Sequence, residues 1–374
     1  MCKRCYLLFL FFISCGCSSP GNQIKNKVSQ EFSLSVIADS IRYVPLETKG
    51  NVLVKYLNEC HIDDDNIFIR DEKKVSRFSI EGKFICNVGS IGQGPSEYLC
   101  CGAFDIDTKK KEIYLYSIFD HKILVYNYNG VLLHKISVKK AVSGIQICND
   151  FAYMNIDRTD YDQGIDSVFV LNLIDKSFIQ FPGRIVGVDK SKEEVNIRIN
   201  DRLVGDTAVD VLYIYSKLEK KDSIFISQKK EPEKDFFYPK LLLRDKNIIL
   251  GNMQQEISFY KKKFDRQLKS GRIVHYSTTS PTPSKPVVYN ISEEKYISMY
   301  NQVDAIYNGI LNDLGGVPDF YVKYDFIGFY PFCIEENNTL CSVLGVEYVL
   351  NSGMLNFHIK EDDNPIVIIT YLKK

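Results

Sequence analysis

The chain of 374 residues contains no tryptophan, and neither charge is in excess, with 47 lysines and arginines against 47 aspartates and glutamates. The missing tryptophan removes the largest aromatic platform on which a sugar ring could stack, although tyrosine can serve. Binding to nucleic acid requires a basic surface that neutralises phosphates. The charge balance therefore argues against nucleic acid as a partner.

Linear catalytic and metal-binding motifs are also missing. The sequence has no HxxxH or HExxH pair and no Gly-x-Ser-x-Gly elbow, and its five histidines stand singly at His61, His121, His134, His275 and His358. Such pairs place two imidazoles on one helix face for zinc, and the elbow exposes a serine nucleophile. We therefore assign no catalytic residue, no metal ligand and no cofactor, and we interpret His121 as part of a surface turn.

Several segments resemble binding sites only in outline. Gly89–Pro95 is glycine-rich, but no helix follows it to meet a phosphate, so we predict a tight connection between repeats. The acidic clusters lack the spacing of a calcium loop and are expected to serve turns; they are Asp63–Asp65, Glu231–Glu233 and Glu361–Asp363. The lysine runs are expected in solvated turns or at strand edges; they are Lys109–Lys111 and Lys261–Lys263.

Four of the 11 cysteines lie before residue 18, and the only CxxC, Cys2 to Cys5, is among them. The remainder of the chain therefore has neither a redox motif nor a zinc knuckle. Cys333 and Cys341 could pair across a hairpin in an oxidising compartment. Most of the other cysteines are expected to be small buried apolar groups.

The first 17 residues have the features of an export signal. Lys3 and Arg4 precede an apolar run, Tyr6–Ile13, which fits a secretory signal and is far shorter than the roughly 20 residues of a membrane-spanning helix. A small residue precedes both Cys15 and Cys17, which resembles the lipobox of bacterial lipoproteins. This resemblance implies acylation of Cys15, with Cys17 as the alternative; an ordinary signal peptide is the simpler possibility. We interpret residues 1–17 as lipoprotein signal peptide and lipobox, and residues 18–40 as a flexible tether.

Two similar segments follow in tandem, each with three alternating strands and a glycine turn. Ile67–Ile69 aligns with Ile113–Leu115, and the turn at Gly82 aligns with the Asn-Gly turn at Gly130. Asn-Gly between apolar alternations favours a β-hairpin, and a period in the mid-forties is typical of a β-propeller blade. The 334 residues from Ile41 to Lys374 then predict six blades, with seven as the alternative.

The segment Val88–Gly130 resembles an NHL-type repeat. It contains a glycine-rich connector, the strand Phe-Asp-Ile-Asp, an Ile-Tyr strand, a third strand and Asn-Gly. The chain as a whole resembles the six-bladed β-propeller lipoproteins of Bacteroides-like bacteria, through IRYVPLET at Ile41, GQGPSEY at Gly92, NDLGGVPDF at Asn312 and EDDNPIVIITYLKK at Glu361. The resemblance implies an all-β propeller over 41–374 and says almost nothing about activity.

Two further structural expectations concern the ends and one insertion. A propeller hides its open sheet edge when both termini complete one blade, and SIRYVPLE and PIVIITYL suit that shared blade. Apolar residues spaced by threes and fours after Ser292 predict one amphipathic helix near 293–311, with Ser292 as N-cap and Gly315-Gly316 after its end.

From these observations we expect a monomeric, lipid-anchored protein of the bacterial cell envelope, held at the outer membrane and facing either the periplasm or the surface. It would act as a binding or scaffold module for a protein, peptide or glycan, since loops on a rigid scaffold usually carry recognition. The alternative is a glycan-active lyase or hydrolase whose residues converge in the central channel from different blades. Propellers host both functions, so the fold does not decide between them.

Overall fold

The computed structural model describes residues 33–374 except 50–51, 55–56, 72, 139, 157–166, 205–206, 230–234, 256–259, 268–272, 281–284, 299, 302–306, 312–313, 315–318, 324–332, 347–349 and 351–357. It is an all-β fold in which six small antiparallel sheets form a six-bladed β-propeller, with almost no helix. This confirms the predicted architecture and selects six blades over seven. Two 3-10 turns, Leu34–Val36 and Arg244–Lys246, flank strands.

The first strand, β1 (Ala38–Pro45), belongs to the last blade. Blades one to four each run outward from the axis in sequence order. Blade one is β2 (Leu57–Ile62), β3 (Asn66–Asp71), β4 (Lys74–Ser79) and β5 (Phe84–Val88), followed by the short pair β6 (Ser90–Ile91) and β7 (Glu97–Tyr98). Blade two is β8 (Cys101–Asp107), β9 (Glu112–Ser117), β10 (Lys122–Asn127) and β11 (Leu132–Ser137). Blade three is β12 (Val142–Cys148), β13 (Phe151–Ile156), β14 (Ser167–Asn172) and β15 (Phe178–Pro182).

Blade four is β16 (Arg184–Asp189), β17 (Glu194–Val204), β18 (Thr207–Ser216) and β19 (Glu219–Lys229). Blade five is β20 (Asp235–Leu243), β21 (Ile248–Gln255), β24 (Lys285–Asn290) and β25 (Lys295–Ser298), with the hairpin β22 (Tyr260–Gln267) and β23 (Ile273–Ser280) inserted after β21. A separate sheet follows: β26 (Tyr300–Asn301), β27 (Tyr307–Leu311) and β28 (Asp319–Lys323). The short β29 (Cys333–Ile334) pairs in parallel with β16, and β30 (Thr339–Leu344) and β31 (Ile366–Leu372) complete blade six with β1.

The hydrophobic core divides into six clusters, and each lies between two consecutive blades. The alternation along a strand explains this division: Ile113 and Leu115 pack toward blade one, whereas Tyr114 and Tyr116 pack toward blade three. Successive side chains of a strand point to opposite faces of its sheet. Since the blade is covered on both faces, consecutive residues of its middle strands β9 and β10 are buried.

The two ends of the chain close the ring, as the sequence predicts. β1 pairs antiparallel with β31, so that Ile41 lies opposite Thr370 and Val44 opposite Val367. The sixth cluster then joins blade six to blade one. Asn364, which is 2% exposed, supports this seam because its side-chain amide accepts from Val54 N and donates to the backbone carbonyls of residues 47 and 52.

A disulfide crosses the same seam. Cys60 in β2 of blade one is bonded to Cys341 in β30 of blade six, with 281 positions between them in sequence and 6.4 Å between their Cα atoms. The prediction that Cys333 and Cys341 pair is therefore wrong, and Cys333 is a free buried cysteine. The reason is topological. β29, which carries Cys333, pairs with β16 rather than forming a hairpin with β30, and the neighbouring blade brings Cys60 to Cys341 instead.

The predicted helix near 293–311 is wrong. The described residues of this stretch form β25, β26 and β27, and Tyr296 lies opposite Tyr289 in the register of blade five. Ser292 is not an N-cap but lies in the β24–β25 turn, where its hydroxyl donates to the side-chain oxygen of Asn290. Tyrosine, isoleucine and valine favour strands, and pairing with β24 overrides the spacing by threes and fours. Gly315 and Gly316 lie outside the described residues.

Candidate functional site

One mouth of the propeller is formed by the turns that follow the innermost strands. Asp63, Asp107 and Asp189 occupy the same place in blades one, two and four, at the end of the inner strand. Each side-chain oxygen accepts a backbone N–H three residues later, at 2.7 Å, 2.9 Å and 3.2 Å respectively. An aspartate at the start of a turn accepts hydrogen bonds from backbone N–H groups that are not paired within the sheet. The second aspartate of Phe-Asp-Ile-Asp is therefore a turn residue, as the sequence predicts for Asp63–Asp65.

Ionic and polar contacts link these turns from blade to blade. The lysine run of blade two makes three of them: Lys109 Nζ lies 3.0 Å from Glu193, Lys110 Nζ 2.8 Å from Asp150, and Lys111 Nζ 3.0 Å from Asp63. The prediction that this run lies in a turn is confirmed. The lysines are also paired with carboxylates of blades one, three and four, and the turn thereby connects blade two to three other blades.

Beneath this mouth lie four buried charged residues, which we call the axial cluster: His61, Asp105, Lys190 and Glu335. They come from blades one, two and four and from the segment leading into blade six, and they are between 0% and 5% exposed. His61 Nδ1 lies 2.9 Å from Glu335 Oε1 and 3.2 Å from Asp105 Oδ1. Lys190 Nζ lies 2.6 Å from Asp105 Oδ1 and 3.4 Å from Glu335 Oε2.

Asp105 is the centre of the axial cluster. Its Oδ1 accepts the backbone N–H of Ile106 at 2.8 Å, and its Oδ2 accepts the N–H of Ile147 in blade three at 2.6 Å. Lys190 also donates to the carbonyl of Ile106 at 3.2 Å. A second ion pair flanks the cluster: Glu59 accepts from Arg70 Nε and from the N–H of Phe104, both at 3.1 Å. These contacts hold consecutive blades in register around the axis.

The charges of the axial cluster set one another's ionisation. Burial disfavours the imidazolium, but the carboxylates of Asp105 and Glu335 outweigh burial and raise the pKa of His61 to about 10. Burial also opposes ionisation of Glu335, yet Lys190 and His61 hold the pKa of its carboxyl below the ordinary value. The same carboxylates raise the pKa of Lys190 despite its burial. At neutral pH His61 and Lys190 therefore carry positive charge and face the negative charge of Glu335.

Three residues in this region could act as metal ligands. One nitrogen of His61, Sγ of Cys333 and one carboxylate oxygen of Glu335 lie within 4.8 Å of one another, and all three residues are buried. None was predicted as a ligand. The signal that could have found His61 is its alignment with Asp105, since His-Ile-Asp at His61 matches Asp-Ile-Asp at Asp105 in successive repeats.

A polar cleft of about 340 Å³ opens at the mouth, with Lys190 at the boundary to the axial cluster. We call it the mouth cleft. Its charged side chains come from blades two, three and four and from the turn before β30; they are Asp107, Lys109, Lys110, Asp150, Lys190, Glu193, Lys217 and Glu336. Four are basic and four acidic, so the lining offers donors and acceptors without a dominant sign. Such a lining suits a ligand with polar groups of both kinds rather than a polyanion.

The remaining predicted residues do not gather at this mouth. His121 lies exposed in the β9–β10 turn with φ 47°, where it bonds Tyr116, which confirms the surface-turn interpretation. His134 and His358 are exposed, and the side chain of His275 lies outside the described residues. Cys15 and Cys17, Glu231–Glu233 and the side chains of Lys261–Lys263 also lie outside them.

The glycine-rich segment is a connection between blades one and two, as predicted. Glu97 closes it, because its carboxylate accepts the N–H of Gly94 at 2.7 Å and the hydroxyl of Ser90 at 3.3 Å. A Cβ on Gly92 would lie 2.0 Å from the Glu97 carboxylate, so the carboxylate packs directly against the backbone there. β6 and β7 occupy the two ends of the segment, and its amides serve this local turn. The acids Glu361–Asp363 likewise serve a turn, in which Asp363 accepts the N–H of Lys360.

The fold and the site define a six-bladed β-propeller with buried charged residues on its axis and a polar cleft at one mouth. The chain belongs to the family of the domain of unknown function DUF4934, whose model matches residues 21–371. No curated protein sequence matches the chain significantly.

Two solved structures are similar to this chain at low sequence identity. An exported protein of Bacteroides fragilis, as its description calls it, is 13% identical with a TM-score of 0.57, over 92% of this chain and 98% of that one. A member of the DUF4221 family from Bacteroides vulgatus is 10% identical with a TM-score of 0.43, over 90% and 97% of the two chains. The first likeness supports the fold alone.

Proposed function

We propose that this protein is a lipid-anchored propeller of the bacterial cell envelope, and that its mouth cleft binds a protein, peptide or glycan. The observation that carries the binding role is the mouth cleft itself. Its polar side chains are presented by turns of a rigid ring, and each turn is tied to its neighbours by ion pairs. Loops fixed on a rigid scaffold are typical recognition sites because little conformational entropy is lost on binding.

Three observations support export and anchoring. The family model begins at residue 21, after both Cys15 and Cys17. The Bacteroides fragilis protein of the same fold is described as exported. The disulfide between Cys60 and Cys341 fits an oxidising compartment outside the cytosol. In the described part of the chain, no helix is both long and apolar enough to cross a membrane. In this proposal a lipid on Cys15 or Cys17 supplies the attachment.

Replacement of both Cys15 and Cys17 by alanine should release the protein from the membrane fraction, because the acylated thiol would be lost. The measurement is fractionation of a Bacteroides host combined with labelling by a fatty-acid analogue. The single variants identify the acylated position, with Cys15 expected. Cys5→Ala is the matched control, since it removes a leader cysteine outside the lipobox and should keep the label. A double variant that stays labelled and membrane-bound would refute the anchor.

The binding role is tested with the purified protein on glycan and peptide arrays, followed by titration of the hits. Lys110→Ala and Lys217→Ala should each weaken binding at least about tenfold, because a charged hydrogen-bond donor is worth about 1.5 kcal/mol or more. Lys135→Ala is the control, since Lys135 is exposed on β11 at the outer edge of blade two. If the cleft variants bind as the control does, the site is not the mouth cleft.

One observation favours the alternative function, a glycan-active lyase or hydrolase. His61, Asp105 and Glu335 converge on the axis from different blades, as such a site requires. However, a glycosidase needs a carboxylic acid that remains protonated, and the pKa of the Glu335 carboxyl is lowered rather than raised. The array hits should therefore be recovered intact after incubation with the protein. Glycan cleavage by the wild type that is lost in a His61→Gln variant would favour the enzyme.

A further inference from the structure

A histidine, a cysteine and a glutamate lie together where blade one meets the segment before blade six. His61 belongs to β2, and Cys333 and Glu335 lie at the short strand β29 and directly after it. One donor atom of each lies within 4.8 Å of the other two. Ligands bound to one metal ion at about 2.0 to 2.3 Å lie closer to one another than this limit. Small side-chain adjustments would therefore let the three donors share one ion.

We propose that His61, Cys333 and Glu335 form a binding site for a divalent transition-metal ion of the zinc class. An imidazole, a thiolate and a carboxylate are each established zinc ligands, and three protein ligands leave a fourth position for water. Magnesium and calcium prefer oxygen ligands only, so the thiolate of Cys333 argues against them. This site is separate from the mouth cleft and does not depend on the proposed ligand.

Two buried atoms of the same residues support the assignment independently. His61 Nε2 and Glu335 Oε2 have no hydrogen-bond partner, although both residues are almost completely buried. Buried polar atoms are nearly always satisfied, and the exceptions include sites that hold an ion. The nearest charges to these atoms are Glu59 Oε1 at 3.8 Å from Nε2 and Lys190 Nζ at 3.4 Å from Oε2. Both atoms thus lie in ion pairs without a hydrogen bond, and an ion would supply the missing partner.

Lys190 lies beside this donor set, with its Nζ 3.4 Å from Glu335 Oε2 and 2.6 Å from Asp105 Oδ1. The shorter contact, with Asp105, involves none of the three donors and would hold Lys190 when Glu335 binds an ion. The ion would join blade one to the segment before blade six, beside the disulfide from Cys60 to Cys341.

The test uses the full mature protein, stripped with a chelator and then equilibrated with Zn²⁺, both in the native state and during refolding from urea. We expect one zinc per chain by mass spectrometry of the metal. Co²⁺ in its place should give a thiolate-to-cobalt charge-transfer absorption. Zn²⁺ should also raise the midpoint of thermal unfolding, because it binds only the folded chain.

Cys333→Ser should weaken zinc binding at least about 100-fold and abolish the charge-transfer band, since the thiolate is lost. Glu335→Gln should also weaken binding but keep that band. Cys148→Ser is the matched control, because Cys148 is a buried free cysteine outside the donor set, and it should bind as the wild type does. A wild-type protein that retains no zinc after either treatment would overturn the proposal, as would a Cys333→Ser variant with unchanged affinity.

Discussion

Replacement of Asp105 by alanine should lower the free energy of unfolding by about 3 to 5 kcal/mol, the usual cost of removing one partner from a buried ion pair. Lys190 would lose its shortest ionic contact, 2.6 Å from Asp105 Oδ1, and would stay buried beside Glu335. The backbone N–H groups of Ile106 and Ile147 would lose their acceptors as well. The change therefore loosens blades two, three and four at once.

The measurement is urea unfolding of Asp105→Ala and the wild type in buffer that contains a chelator. Asp150→Ala is the matched control, because Asp150 also pairs with a lysine, at 2.8 Å, but its side chain is 47% exposed. An exposed pair contributes about 0 to 1 kcal/mol, so the control should remain close to the wild type. A loss below about 1 kcal/mol for Asp105→Ala would show that the axial cluster does not hold the ring together.

Removal of the disulfide should have the second large effect. The double variant Cys60→Ala/Cys341→Ala is expected to unfold with about 2 to 5 kcal/mol less free energy than the wild type, the usual cost of losing a native disulfide. The bond joins residues 281 positions apart and spans the seam where the first and last blades meet. Without it, the pairing of β1 with β31, the hydrogen bonds of Asn364 and the apolar contacts of that seam would have to close the ring.

The control for this experiment is Cys101→Ala/Cys148→Ala, which removes two buried thiols that form no disulfide. It separates the cross-link from the loss of sulfur atoms in the core. A reductant should lower the stability of the wild type and leave the double variant unchanged. Equal stability of the two double variants would contradict a role for the bond in closing the ring.

Much of the fold can be predicted from local pattern. Strand alternation, the turns at Gly82 and Gly130 and the repeat period depend on neighbours in sequence, and six blades with a shared closing blade are what the structure contains. Gly82 and Gly130 both have positive φ, at 85° and 75°, as such turns require. The helix predicted near 293–311 is wrong because that prediction also used only local spacing. The described residues of this stretch include β25, and β25 takes its hydrogen bonds from pairing with β24.

The candidate site could be predicted only in part. The aspartates of Phe-Asp-Ile-Asp look equivalent in sequence, yet Asp107 caps a turn whereas Asp105 lies at the centre of buried charge. Periodicity assigns the two residues to the same face of one strand. It gives no information about Lys190, which contacts Asp105 from 85 residues later, or about Glu335, which contacts Lys190 and lies 230 residues after Asp105. Blade order around the axis, rather than strand pattern, brings these groups together.

By itself the sequence determined the all-β character, the repeat length and the joining of both termini in one blade, because hydrophobic alternation and turn chemistry act over a few residues. Only the tertiary structure decided the partner of Cys341, the gathering of His61, Asp105, Lys190 and Glu335, and the cleft above them. Those contacts join blades that are remote in sequence, and closing the ring is the physical event that brings their inner strands within reach of one another.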